Sequence, residues 1–79
     1  MGSIKFTLNK TLNEFHMSRN KLAVQARIRP ATIADMVNGK TKRIELPTLV
    51  SILDALNREG IRKVTVDDVF QYYADDSIG

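Results

Sequence analysis

The chain has 79 residues, 43% of them hydrophobic and 27% charged, with a formal net charge of +3. That is enough for one domain, residues 1–79, around one modest core. It has no cysteine and a single histidine, His16, which excludes a disulfide framework, a thiolate metal site and a histidine cluster, and no apolar run approaches membrane-spanning length.

The first residues lack the apolar stretch of a secretory signal, so a cytoplasmic location is expected. Met1-Gly2-Ser3 read as a cloning remnant, and no role is assigned to them. The charge is unevenly placed. Segment 18–43 holds Arg19, Lys21, Arg27, Arg29, Lys40, Lys42 and Arg43 against one acid, Asp35, a balance of +6. Segment 64–79 holds four acids (Asp67, Asp68, Asp75 and Asp76) and no base. A basic block inside a folded stretch suits either a polyanion partner or a solvated face, and charge alone does not choose between them.

Leu8, Leu12 and Phe15 recur at helical spacing and predict a first helix over about 8–16, with Thr7 as its N-cap. Ser18 is the N-cap of a short second helix over about 19–26, which turns Leu22, Ala23 and Ala26 inward. Pro30 opens a third helix over about 30–38, because its missing N–H is no loss at a first helical position. Ile33, Met36 and Val37 form the inner face of that helix, and Asn38-Gly39 stops it. A polar loop, Lys40 to Glu45, follows. Pro47 opens a fourth helix with Leu49, Ile52, Leu53 and Leu56 on one face, which ends near Arg58 to Gly60.

Thr65-Val66-Asp67-Asp68 reads as the start of a last short helix, with acids near its positive end. Two readings of the next residues stand. Ile4-Lys5-Phe6 and Phe70–Tyr73 are β-prone and could pair as terminal strands, or Val66–Tyr73 could be one fifth helix. Residues 74–79 are expected to fray.

Two short helices, a tight turn and a Lys/Arg loop make a DNA-binding arrangement. Ala23 is small enough for a close helix crossing, and Leu22, Ile28, Ile33 and Met36 can lock the pair. The turn position favours glycine because it usually has positive φ. Here it holds Arg27, which either adopts that conformation at a cost of about 1 kcal/mol or avoids it by a different turn.

The run from Ser18 through Leu22-Ala23, Pro30, Ile33 and Met36 to Lys40 resembles the helix-turn-helix of the Cro, phage-repressor and Xre-like family. Asn38-Gly39-Lys40-Thr41-Lys42-Arg43, the helix through Ala55-Leu56-Asn57 and the close at Val66-Asp67-Asp68-Val69-Phe70 extend the resemblance over about residues 5–73. It implies a mainly α, lambda-repressor-like fold of five helices, with helix 3 in the major groove and binding to double-stranded DNA as a homodimer. Arg29, Ala31, Thr32 and Asp35 then stand where the family reads bases. Ser18, Arg19, Asn38, Lys40, Lys42 and Arg43 stand at or beside positions that grip phosphates.

The chemistry agrees with that division. Arg29 can bond a guanine edge at two points, and Ala31 or Thr32 can touch a thymine methyl. Asp35 can accept from a cytosine amino group or orient Arg29 or a nearby lysine. The start of helix 2 suits a phosphate. His16 reads as a surface or capping residue, and Glu14 and Asp54 as isolated carboxylates. Val64, Val66, Val69, Phe70, Tyr72 and Tyr73 either form a dimer interface or finish the core.

The expected function is a transcriptional repressor that occludes its operator. The alternatives are an antitoxin that represses its own operon and binds a toxin through the acidic C-terminus, and a protein-binding module on the same fold. No nucleophile–base pair, phosphate-cradling glycine loop or metal set is present, so neither enzymatic activity nor a cofactor is expected.

Overall fold

Residues 2–74 are described by the structure, a computed structural model. The chain enters as strand β1 (Ser3–Phe6) and leaves as strand β2 (Phe70–Tyr73). The two pair antiparallel, with Ser3 opposite Tyr73 and Phe6 opposite Phe70. Ser3 therefore has a structural place that the sequence reading denied it. The Phe6 and Phe70 rings meet edge to face, 5.9 Å apart, a favoured aromatic geometry. This cross-strand pair decides 70–73 as strand, against the fifth-helix alternative. What precedes it is only a 3₁₀ turn, Val66–Asp68, so the described residues form four α-helices, that turn and a two-stranded sheet rather than five helices. Asp75 and Asp76, and the expected fraying after residue 74, lie outside the described residues.

Helix α1 is Leu8–Glu14, shorter than the spacing of its apolar residues suggested. Thr7 precedes it but makes no side-chain cap, because its hydroxyl donates to the Asp67 carbonyl at 2.7 Å while its N–H donates to the Val69 carbonyl at 2.9 Å. Thr11, buried in the same helix, donates its hydroxyl to the Asp68 carbonyl at 2.7 Å. Two threonines thus stitch α1 to the 3₁₀ turn. Helix α2 is Arg19–Ala26, and Ser18 Oγ accepts the Lys21 N–H at 3.0 Å as its sequence position implies. Helix α3 is Pro30–Val37. Helix α4 is Leu46–Arg58, one residue longer at its start than Pro47 indicated.

All four α-helices are followed closely by a residue with positive φ: His16, Arg27, Gly39 and Gly60. At the first three the next amide reaches back five residues along the chain. Met17 N–H donates to Leu12 O, Ile28 N–H to Ala23 O, and Lys40 N–H to Asp35 O, at 3.0, 2.9 and 2.8 Å. These bonds satisfy helix-end carbonyls that would otherwise lack partners. Arg27 takes the left-handed conformation (φ 57°) and does not avoid it. Arg27→Gly is therefore expected to raise stability only slightly, by about 0–0.6 kcal/mol, the left-handed strain less the entropy that glycine adds to the unfolded chain. Urea denaturation measures this; a loss of stability would mean that the Arg27 side chain contributes more than the strain costs.

The core runs through every element. Leu8, Leu12, Leu22, Ala23, Ile33, Met36, Ile52, Ala55, Leu56 and Val69 are at most 2% exposed. Val64 and Val69 close this core and are not surface positions. Asn57 fastens the return from α4: its amide donates to the carbonyls of Leu53 and Val64, and its oxygen accepts the Val64 N–H.

Arg62 fixes the same region from outside. Its guanidinium bonds both Glu14 oxygens at 2.6 and 3.0 Å and both Asp68 oxygens at 2.9 and 3.0 Å, and lies over the Phe15 ring. Glu14 is thus a paired carboxylate, not an isolated one. Hydrogen bonds from Arg62 hold both carboxyls below their ordinary range, and the two acids push the arginine further up. A carboxyl lowered by folding stabilises the native state above its unfolded pKa and loses that contribution as pH falls through the folded one. Arg62→Met is accordingly expected to be less stable than the parent at neutral pH, with the difference closing as pH drops through about 4 and below. Urea titrations at several pH values follow it; a gap that stays constant with pH would assign the effect to the Phe15 contact instead.

Candidate nucleic-acid interface

Helices α2 and α3 pack through Leu22, Ala23, Ile33 and Met36, all buried. Ala23 is 1% exposed, a small residue buried where α2 packs against its neighbours. This packing holds the other side of α3 in solvent. Arg29 is the extended residue before the helix, and Pro30 sets the first turn. Arg29, Ala31 and Asp35 are exposed and Thr32 is half-buried, so the four residues expected to read bases lie on or beside one accessible stretch. Asp35 forms no ion pair with Arg29 or with any described lysine, which leaves its carboxylate available as an acceptor.

Two further groups stand before and after that stretch in the chain. Before it, capping by Ser18 satisfies the Lys21 amide and leaves the Arg19 and Asn20 amides without a protein acceptor among the described residues. They border a polar concavity of about 470 Å³ lined by Asn9, Asn13, Ser18, Arg19 and Asn20. A helix start with open N–H groups and positive dipole attracts an anion. After it, Asn38, Lys40, Lys42 and Arg43 are exposed on the loop that leaves α3. Gly39 (φ 72°) turns the chain out of the helix, and half-buried Ile44 anchors the loop against the core.

Among the described residues, Arg19, Arg29, Lys40, Lys42 and Arg43 make no ion pair, whereas Lys21 lies 3.5 Å from Glu59 and Arg62 is held by two acids. These five stand on the two motif helices and the loop that follows them; Arg27 in the turn, and Lys10, Arg58 and Lys63 elsewhere, likewise make no ion pair among the described residues. Sequence reasoning missed two supports of this surface. Ile44 was passed over as part of a polar loop, although a lone apolar residue between Arg43 and Glu45 was a usable signal. Arg58 donates to the Gln25 carbonyl at 3.1 Å and ties α4 to α2, which no local pattern reveals. The candidate interface residues separate: Val66, Tyr72 and Tyr73 are exposed, while Val69 is fully buried and Phe70 half-buried against the core.

A family model of the Cro/C1-type HTH DNA-binding domain matches residues 7–75. The chain belongs to the Cro/C1-type helix-turn-helix family. No curated protein and no solved structure matches it. The match spans both helices of the motif, the basic loop and all of β2, and begins just after β1. The Cro/C1-type domain here is framed by a terminal strand pair, and DNA binding is the property that membership gives the chain. No helix among the described residues is long and apolar enough to cross a membrane.

Proposed function

We propose that the protein is a sequence-specific transcriptional repressor that binds its operator with α3 in the major groove and blocks it by occupancy. The observation that carries this reading is the exposed start of α3, with Arg29 at its entrance, preceded in the chain by the open N–H groups of α2 and followed by the exposed Lys40, Lys42 and Arg43, which make no ion pair among the described residues. Arg29, Ala31, Thr32 and Asp35 read base edges. The start of α2 at Ser18 and Arg19 grips the backbone on one side, and Asn38, Lys40, Lys42 and Arg43 grip it on the other. Phosphate contacts supply affinity and register, while base contacts supply choice.

The active form is a homodimer, because one domain of this size touches few base pairs and a two-fold operator doubles the contact. Val66, Tyr72 (67% exposed) and Tyr73 provide the apolar surface for that pairing. On a site recovered by selection, Arg29→Ala is expected to cost about 1–3 kcal/mol and to relax choice at one base pair. Lys42→Ala is expected to weaken all duplexes alike and to reduce the salt dependence. Quantitative binding to single-base-pair variants of the site separates the two. Uniform loss in both mutants would remove the division between base-reading and phosphate-gripping residues.

A further inference from the structure

Beside the basic loop lies a groove of about 390 Å³, between the sheet and the segment Gly39 to Ile44. Its apolar surface comes from Ile4, Phe6, Phe70 and Ile44, and its cations include Lys42 and Arg43. Strand alternation accounts for the apolar side. Ile4 and Phe6 share a face of β1, and their partners Tyr72 and Phe70 share the same face of β2. The phenylalanine end of this face packs against the core, while the Ile4 end overhangs it and stays half exposed. No acid lines the groove. Lys5 also borders it, but its ammonium lies 5.8 Å from the Tyr73 ring centroid and is already engaged. Lys42 and Arg43 have no carboxylate partner among the described residues.

We propose that this groove binds a small amphipathic anion, an aromatic or branched-chain carboxylate, with its apolar body against Ile4, Phe6, Ile44 and Phe70 and its carboxylate on Lys42 and Arg43. The volume lies within the range of small-molecule sites, which pair an apolar lining with a few convergent polar groups. The two lining cations and the absence of any lining acid favour an anion over a cation. Two unpaired cations at the rim add attraction for a carboxylate that a neutral apolar molecule of the same shape would not gain. Resting on the DNA-binding reading above, the ligand also regulates it. Lys42 and Arg43 cannot serve a ligand carboxylate and a phosphate at once, so bound ligand lowers DNA affinity and bound DNA lowers ligand affinity by the same factor.

The test is a heteronuclear NMR titration of the full chain with naphthoate, and in parallel with the neutral isostere naphthamide. Saturable shifts are expected at Phe6, Ile44 and Phe70, with naphthoate binding about tenfold more tightly than naphthamide, the contribution of two exposed cations. Lys42→Gln with Arg43→Gln is expected to abolish that preference while leaving the folded spectrum intact. Three outcomes overturn the ligand site: no saturable shift, equal affinity for the two probes, or groove shifts that follow protein concentration alone, which would make the groove a contact between copies of the chain. The ligand readout needs no DNA, so failure of the DNA-binding reading leaves it unaffected. Naphthoate binding with unchanged duplex affinity would overturn only the regulatory part.

Discussion

Leu22→Ala is expected to lower stability by about 2–5 kcal/mol and the melting temperature by about 10–30 °C. Leu22 is 0% exposed and sits in α2, packed in the core with Ile33 and Met36 of α3. Truncation loses the transfer free energy of the removed atoms and leaves a cavity that close-packed neighbours only partly fill. A domain of this length has a total stability of about 4–12 kcal/mol, so the change takes a large share of it. DNA binding is expected to fall with the folded fraction, because α2 is what holds α3 outward. Calorimetry or urea denaturation measures the first effect. A loss below about 1 kcal/mol would show that this part of the core collapses readily around a smaller side chain.

The second large effect is the reverse in kind. Replacing Lys40, Lys42 and Arg43 together by alanine is expected to leave folding stability within about 0.5 kcal/mol, since all three are exposed and make no ion pair among the described residues. DNA affinity near physiological salt is expected to fall on the order of 100-fold. The plot of log affinity against log salt should become shallower by about 2.7, from three phosphate contacts each releasing about 0.9 of a counterion. An unchanged slope would mean that the loop is solvated and does not grip the backbone, and would leave the start of α2 as the principal anchor. Set beside Leu22→Ala, this variant separates loss of the interface from loss of the fold.

Much of the scaffold was legible because its signals are local. Ser18 caps α2 through its own side chain, Pro30 fits only a helix start, and Gly39 has the positive φ that glycine adopts freely. The end of the chain was ambiguous for a physical reason. Val66, Val69, Phe70 and Tyr73 satisfy helical spacing, while Phe70 to Tyr73 also has strand composition. Only the pairing with β1, more than sixty residues away in sequence, decides between them. The same holds for Arg62, whose partner Glu14 is 48 residues distant, and for Thr7, whose hydroxyl turns to Asp67 instead of capping α1. His16 and Arg27 show a different limit. Left-handed residues without glycine are permitted at modest energy, so sequence alone left open whether the Arg27 turn would take that form.

The interface was legible to the extent that it depends on exposure and charge. The residues named from the sequence around α3 are accessible, and their cations lack acidic partners among the described residues. Which of them touch which bases depends on the docked geometry, which no intrachain contact fixes. The apolar C-terminal residues divide for the same reason that the strand forms. Once Phe6 and Phe70 meet, Val69 is drawn into the core and Tyr72 is carried past its edge.

The most direct test of sequence-specific DNA recognition is selection of bound duplexes from a random pool at two salt concentrations. An enriched motif with two related half-sites centred about one helical turn apart, surviving at the higher salt, is the result expected of a dimer that reads bases with α3. Absence of enrichment, or binding that disappears at physiological salt, would contradict it and reduce the basic face to a nonspecific polyanion surface.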